Sequence, residues 1–290
     1  MRRALGALGG AVLLFAALAP AARAEPPVWV VKSRGSQIVL FGSVHVLPHG
    51  LAWEPSALKR AIAQADEVWF ELPIDPLTQA QTAQLATQLG VLAPDQSLFK
   101  LLPADDSERM SRVAQTYGVS PALLDRLQPW LAEIALAGAA YHLAGADTDS
   151  GVEQAISAQV PTKAARRAFE TPEEQLSIFA STPMPEQIAS LRQTLKEMET
   201  DPDEFATLVR AWMAGDIAAL DREALAPLRQ ASPDLFRRIV KERNERWLKT
   251  LRARLRGHGR TVVVVGVGHL VGPEGLPARL RALGYSVQGP

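Results

Sequence analysis

The sequence predicts an α/β fold in which a small central sheet, built from N-terminal and C-terminal strands, carries a large helical insertion. Runs of β-branched and apolar residues lie near both ends of the chain, at 37–41 (QIVLF), 67–72 (EVWFEL) and 261–265 (TVVVV). Between them, from 75 to 257, the pattern is one helix after another. Strands at both ends with helices between them are typical of one domain whose terminal strands share a sheet.

The N-terminal strands frame a β-α-β unit. The run at 37–41 ends at Gly42 and the run at 67–72 ends at Pro73, as buried strands do where the chain turns. Residues 54–65 place apolar side chains at helical spacing behind an early proline. Such a unit implies a parallel pair joined by a right-handed crossover. We therefore expect the two strands to be parallel partners in one sheet.

Cap residues divide the central part of the chain into helices. The pair Asp75-Pro76 begins a helix that Gly90 ends. Residues 128–143 are apolar nearly all round, as in a helix buried in a bundle. Further elements are predicted as helices starting at Asp105 or Asp106, Ser120-Pro121, Thr171-Pro172, Asp201-Pro202 and Ser232-Pro233, a helix near 274–283 and an edge strand at 285–288.

The first 24 residues have the pattern of a secretory signal peptide. Two arginines precede a short apolar stretch, and the tripeptide Ala-Arg-Ala at 22–24 forms a small-residue cleavage site. The apolar stretch is shorter than the roughly 20 residues that a membrane-spanning helix needs. We therefore expect a periplasmic or secreted protein that has no membrane span after cleavage and folds as one domain over residues 25–290.

Composition excludes several classes of function. The chain has 31 basic and 31 acidic side chains, and removal of the three arginines in residues 1–24 leaves 28 basic against 31 acidic. This balance is not that of a protein that binds nucleic acid or a membrane surface. Cysteine is absent, which excludes disulfides, thiolate metal ligands and a cysteine nucleophile. The oligomeric state is not determined by any of these features.

Two of the five histidines follow strands in the same way. His45 closes the stretch GSVH at 42–45 and His269 closes GVGH at 266–269, each three residues after the glycine at the end of a β-branched run. These histidines are predicted on loops just past the carboxyl edge of the sheet, where open α/β sheets bind ligands. If the two strands are neighbours, His45 and His269 face one crevice.

Glu71 adds a carboxylate at the end of the third apolar strand, in VWFELP. Two imidazoles and a carboxylate suit a divalent transition metal such as zinc or manganese, or a general base with an orienting partner. The sequence contains neither a Gly-x-Ser-x-Gly elbow nor a His-Glu-x-x-His motif, which argues against an ordinary serine hydrolase or zincin.

Taken together, these motifs resemble the TraB/GumN family, which is related to the Tiki proteases and more distantly to the erythromycin esterase and ChaN-like group. The resemblance covers about residues 28–290. It rests on the order and spacing of the paired Gly-x-x-His elements, the strand with Glu71, the stretch AWMAGD at 211–216, the pair Arg243-Asn244, and GHLVGPEGL at 268–276.

The resemblance implies a metal-dependent hydrolase, and its Tiki-like members act as peptidases. It implies that His45, Glu71 and His269 form the catalytic and metal-binding set. Arg243 and Asn244 would project from a long helix toward the same cleft and orient the substrate or support the ligands. The expected substrate is a peptide or small molecule, and nucleic acid is not expected as a partner.

Two further glutamates correspond to family positions. Glu170, in Phe-Glu-Thr, matches a Leu-Glu-Thr position that a short apolar strand usually precedes. Here the basic, alanine-rich residues 163–168 stand in its place, so no strand is predicted there. Glu153, in Gly-Val-Glu, stands where relatives often have aspartate. The roles of both glutamates stay open.

Three other functions stay open. A metal-free, esterase-like hydrolase would use His45 as general base with Glu71 orienting it, and its activity would survive chelation. An envelope protein that binds a metal ion or haem without catalysis would, with haem, give a Soret absorbance. A structural or assembly partner in envelope polysaccharide or conjugation systems would tolerate replacement of His45 or His269.

Overall fold

The structure is a computed structural model that describes residues 25–147 and 150–290. The signal peptide predicted at 1–24 lies outside these residues. The strands are β1 (Val28–Lys32), β2 (Ser36–Ser43), β3 (Leu47–Pro48), β4 (Glu67–Phe70), β5 (Ala146–Asp147), β6 (Ala165–Ala168), β7 (Gly259–Gly266) and β8 (Ser286–Gln288).

Helices make up most of the rest of the described chain. They are α1 (Ser56–Ala63), α2 (Pro76–Gly90), α3 (Leu98–Leu101), α4 (Ala104–Thr116), α5 (Pro121–Leu124), α6 (Pro129–Leu143), α7 (Val152–Gln159), α8 (Pro172–Ala180), α9 (Met184–Thr200), α10 (Glu204–Ala214), α11 (Ile217–Leu220), α12 (Ala226–Ala231), α13 (Pro233–Phe236), α14 (Glu242–Arg256) and α15 (Leu276–Ala282). Two π-helical turns, Asp221–Leu225 and Arg237–Lys241, interrupt the later helices, and a 3-10 turn spans Val267–His269.

Six strands form the central sheet in the order β6-β4-β7-β2-β1-β8. The first four of these are parallel, whereas β1 is antiparallel to both β2 and β8. The short strands β3 and β5 pair separately. The predicted α/β fold, with a sheet of N- and C-terminal strands and a large helical insertion, is confirmed.

The predicted direct pairing of β2 with β4 is wrong. The two strands are parallel, but β7 lies between them, and Val262 is in register with Val39 on one side and Val68 on the other. Residues Val262 to Val265 of β7 are almost completely buried. An all-apolar strand is most stable where helices cover both faces of the sheet, so the C-terminal strand takes the central position.

Successive residues of β7 face opposite sides of the sheet, as strand geometry requires. Val262 and Val264 join a core with α1 and α10, which contains Leu58 and Trp212. Val263 and Val265 join a second core against α14 and α15. Full burial of each such side chain contributes about 1.5–3 kcal/mol. The two cores hold the carboxyl edge of the sheet in one place.

The helical insertion has its own core, built from α3, α4, α6 and α9 around Leu98, Met110 and Leu191. The helix α6 was predicted to be buried all round, and this is wrong. Ile134 and Leu143 have exposed fractions of 46% and 68%, so α6 buries one face only.

The stretch before Glu170, where no strand was predicted, forms the edge strand β6, parallel to β4. Its arginines Arg166 and Arg167 are exposed. The hydrogen bonds of the strand ladder, rather than apolar side chains, define this strand, and charged side chains are common on sheet edges. None of the helices formed by residues 25–147 and 150–290 is long and apolar enough to cross a membrane.

Candidate functional site

Three parallel strands end side by side at the carboxyl edge of the sheet. Ser43, the last residue of β2, is in register with Gly266, the last residue of β7. His45, Glu71 and His269 follow the ends of β2, β4 and β7. The sequence therefore placed each of these three residues at the correct strand end.

The three side chains lie close to the position that a Cβ atom on Gly266 would occupy. A methyl group added there would lie 3.2 Å from Glu71 Oε1, 3.6 Å from His45 Nε2 and 3.8 Å from His269 Cδ2. His269 and Glu71 are buried, whereas the side chain of His45 is 66% exposed. The site is thus open to solvent on the His45 side and closed on the other.

His45 is paired with Glu153 from the first turn of α7. Its Nδ1 lies 2.6 Å from Glu153 Oε1, which also accepts a hydrogen bond from the Ser43 hydroxyl. The negative charge of Glu153, together with its hydrogen bond to the ring, raises the pKa of His45 from its usual 6.5 to about 9. The hypothesis that Glu71 orients His45 is wrong, because Glu153 makes that contact.

Replacement of Glu153 by glutamine is expected to lower the pKa of His45 from about 9 toward 6.5. A neutral amide cannot stabilise the imidazolium as a carboxylate does. Between about pH 6.5 and pH 9, His45 would therefore be neutral in the variant and protonated in the unaltered protein. NMR titration of the His45 ring in metal-free protein measures the change. A pKa that stays near 9 in the Glu153→Gln variant would contradict the assignment.

Glu71 is buried and held by three donors. The backbone N–H of Gly266 donates to Oε1 at 2.7 Å, while Gln175 Nε2 and Arg243 Nη2 donate to Oε2 at 3.1 and 2.5 Å. Burial by itself would raise the pKa of this carboxyl, but the charge of Arg243 lowers it far below the usual range. Glu71 is therefore ionised in the site at neutral pH.

His269 is fixed by the two neighbouring residues of α14. Its Nδ1 lies 2.8 Å from Asn244 Oδ1 and its Nε2 lies 3.0 Å from Arg243 Nη1. Since a guanidinium can only donate, these partners assign the proton of His269 to Nδ1. Burial lowers the pKa of His269 to about 3, so the ring is neutral. Asn244 also donates to the backbone carbonyls of His269 and Glu274.

Arg243 connects the carboxyl edge of the sheet to a second buried carboxylate. Its Nε and Nη2 donate to Glu170 at 2.8–3.0 Å, and its guanidinium lies 4.7 Å from the ring centroid of Trp247. Trp247 Nε1 donates to Glu170 as well. Bidentate pairing with a carboxylate fixes the plane of the guanidinium, so Glu170 positions Arg243 for its contacts with Glu71 and His269.

All five candidate residues from the sequence are therefore brought together, and the two glutamates without assigned roles support them. Glu153 partners His45, and Glu170 partners Arg243. Sequence reasoning missed Ser43 and Gln175. Ser43 lies inside the first Gly-x-x-His element and could have been noticed there, but nothing local marks Gln175, which reaches Glu71 from the middle of α8.

The donor atoms suit the divalent ion that the resemblance implies. In both histidines a side-chain oxygen engages Nδ1, as in most metal-bound histidines, and leaves Nε2 as the ligand atom. With Glu71 Oε1 they form a nitrogen and oxygen donor set of the kind that zinc or manganese takes. Binding would require Arg243 to release His269 Nε2. As arranged here, residues 25–147 and 150–290 hold no group of three or more His, Cys, Asp or Glu ready to bind a metal.

Comparison with known proteins places the chain in a family. It is 24% identical over 243 residues to the uncharacterized protein YbaP of Escherichia coli (strain K12), and the match covers 83% of this chain and 87% of YbaP. It is also 24% identical over 266 residues to an uncharacterized protein of Treponema pallidum (strain Nichols), covering 86% of this chain and 78% of that protein. The sequence model of the TraB/PrgY/gumN family matches residues 27–289. Because that match spans nearly the whole chain, the protein belongs to the TraB/PrgY/gumN family.

Proposed function

We propose that this protein is an exported, metal-dependent hydrolase that cleaves peptide bonds at the carboxyl edge of the sheet. The observation that carries the proposal is the convergence of Glu71, His45 and His269 around Gly266. Each comes from a different strand end, and Glu153 and Asn244 engage the Nδ1 atoms of the two histidines.

The residues divide into ligands and supporting groups. His45, Glu71 and His269 would hold the ion, which when bound would polarise the scissile carbonyl and lower the pKa of a bound water toward roughly 7. Arg243 supplies a fixed positive charge at the buried side of the site, where it can stabilise an oxyanion. Glu153 and Asn244 hold the two imidazole rings in position through Nδ1.

A metal-free hydrolase is the second candidate, and the His45–Glu153 contact of 2.6 Å favours it. A carboxylate that orients an imidazole is the usual partner of a histidine general base. In this mechanism His45 would take a proton from water through Nε2, the ring nitrogen nearer Gly266, and because the pKa of the ring is about 9, it would act as a base only after that nitrogen has lost its own proton. Chelation separates the candidates: it abolishes the activity of a metal-dependent enzyme and leaves that of the second candidate unchanged.

The experiment compares the protein of residues 25–290 with its Gly266→Ala variant. The rate of cleavage of quenched fluorescent peptides is measured for each protein, once with EDTA and once with added zinc or manganese. The alanine methyl would occupy the centre of the site, so activity is expected to fall by at least about 100-fold while circular dichroism stays unchanged. Gly138→Ala is the matched control, because its methyl would meet no atom within 4 Å. Full activity in Gly266→Ala, or no cleavage by the unaltered protein under any condition, would contradict the proposal.

A further inference from the structure

One face of the helix α6 lines a cavity of about 230 Å³, which we call the α6 cavity. The four residues of this face, Trp130, Glu133, Ile134 and Ala137, have the spacing of neighbours on one side of a helix. Ile134, one of the exposed apolar residues of α6, therefore borders a cavity. Within this apolar helix Glu133 is the one acidic residue, and α6 contains neither lysine nor arginine.

The other walls of the α6 cavity are mostly apolar. They come from α8, α12, α13 and the π-helical turn at 237–241, which contribute Phe179, Leu228, Leu235 and Ile239. The rings of Trp130 and Phe179 stack with their centroids 6.0 Å apart. No described residue lines both this cavity and the one that contains His45 and Glu71. The α6 cavity is thus separate from the candidate active site.

Glu133 is the one ionisable side chain among the described residues that line the α6 cavity. Its Oε1 accepts hydrogen bonds from the hydroxyl groups of Ser190 and Thr194 at 3.1 and 2.9 Å. Within the described part of the chain, Oε2 accepts no hydrogen bond and the carboxylate forms no ion pair. Burial raises the pKa of Glu133, and the negative charge of Glu197 raises it further. A buried carboxylate without a counter-charge is stabilised by a cation.

We propose that the α6 cavity binds a small organic cation that consists of an apolar ring and a primary ammonium group. The ring lies against Trp130 and Phe179, since aromatic side chains favour offset or edge contacts with another ring. The ammonium group donates to Glu133 in a charge-assisted hydrogen bond, which is stronger than a bond between neutral groups. Among the described lining residues no lysine or arginine competes for this carboxylate.

The volume of the α6 cavity limits the size of the ligand. An apolar cavity of roughly 150 Å³ in another protein binds benzene. The α6 cavity, at about 230 Å³, is larger. It therefore accommodates one six-membered ring together with a short chain of about two carbon atoms and the ammonium group. Phenethylamine has this size and chemistry and is the probe for the site.

NMR titration of the isotope-labelled protein of residues 25–290 tests the proposal. The indole N–H of Trp130 is the reporter, and a Trp130→Phe variant assigns its resonance. Phenethylamine is expected to shift this resonance and to bind at least about tenfold more tightly than phenethyl alcohol, which has the same shape but no charge. Hydrocinnamate, which carries a negative charge, and propylamine, which lacks the ring, are each expected to bind at least about tenfold more weakly than phenethylamine.

Replacement of Glu133 by glutamine removes the charge and keeps an oxygen atom for the two hydroxyl donors. The Glu133→Gln variant is expected to bind phenethylamine and phenethyl alcohol with affinities within about twofold of each other, because neither ligand then forms a charge-assisted bond. Glu108→Gln is the matched control, since it makes the same change at an exposed position of α4 outside the cavity. It should retain the preference for the amine.

A second pair of variants tests the cavity itself. Ala137→Phe places a ring inside the cavity and is expected to abolish binding of phenethylamine and phenethyl alcohol alike. Gly138→Phe places the same ring at the next position, where a Cβ atom would meet nothing within 4 Å, and should leave binding unchanged.

The proposal is wrong if phenethyl alcohol binds as tightly as phenethylamine, or if the Glu133→Gln variant keeps the preference for the amine. It is also wrong if Ala137→Phe binds phenethylamine as the unaltered protein does, or if the Trp130 resonance does not shift. None of these results depends on peptide cleavage, so the cation site is tested independently of the proposed hydrolase function.

Discussion

Replacement of Arg243 by methionine is expected to reduce the free energy of unfolding by roughly 3–5 kcal/mol, the usual effect of removing one partner of a buried ion pair. Arg243 is 5% exposed, and it pairs with Glu71 and Glu170, which are 7% and 5% exposed. Methionine fills similar space but leaves the buried Glu71 without its cation and Glu170 with only the half-exposed Arg246. Urea unfolding followed by circular dichroism measures the change.

Arg246→Met provides a matched control for this prediction. Arg246 donates to the same carboxylate, Glu170, but its side chain is 51% exposed. Ion pairs that involve exposed side chains contribute about 0–1 kcal/mol, so the control should lose little stability. Equal stability of the two variants would contradict the prediction, because burial of Arg243 would then add nothing to the contribution of its charge. The Arg243→Lys variant, which keeps the charge but loses the bidentate fork, should fall between them.

The His45→Ala, His269→Ala double variant is expected to lose binding of a divalent ion and to reduce peptide hydrolysis by about 10²–10⁴-fold, the range for removal of a catalytic imidazole. Both changes remove an imidazole ring that lies within 4 Å of the same point, the position of a Cβ atom on Gly266. Calorimetric titration of the metal-free protein with zinc or manganese measures the binding. The unaltered chain is expected to take up close to one ion per molecule.

Two histidines outside the site provide the control for this second prediction. His142 and His258 are both exposed. A His142→Ala, His258→Ala variant therefore also removes two imidazole rings, but it leaves the candidate site unchanged. Under the proposed function, this variant should match the unaltered protein in ion binding and in peptide hydrolysis. Replacement of the buried His269 could disturb folding. The single variant His45→Gln is therefore included as well, because His45 is exposed and its replacement should leave the fold unaffected. Unchanged ion binding in the double variant would show that any metal site lies elsewhere.

The chain's fold class could be predicted from local pattern, but its strand order could not. Apolar runs at 37–41, 67–72 and 261–265 and the Asp75-Pro76 cap identify strands and a helix because periodicity and capping act over a few residues. The position of β7 between β2 and β4 depends instead on how apolar side chains from both ends of the chain pack on the two faces of the sheet. The strand β6 was missed for a related reason, since its stability comes from backbone pairing with β4.

The candidate site shows the same division. The sequence by itself determined that His45, Glu71 and His269 stand at strand ends, because a glycine or a proline after an apolar run marks the end of a strand wherever that strand lies. Only the tertiary structure decided which residues support the candidate site: Glu153 pairs with His45, and Glu170 pairs with Arg243. These contacts join residues far apart in the chain, and a buried charge finds its counter-charge through three-dimensional packing, which no local spacing encodes.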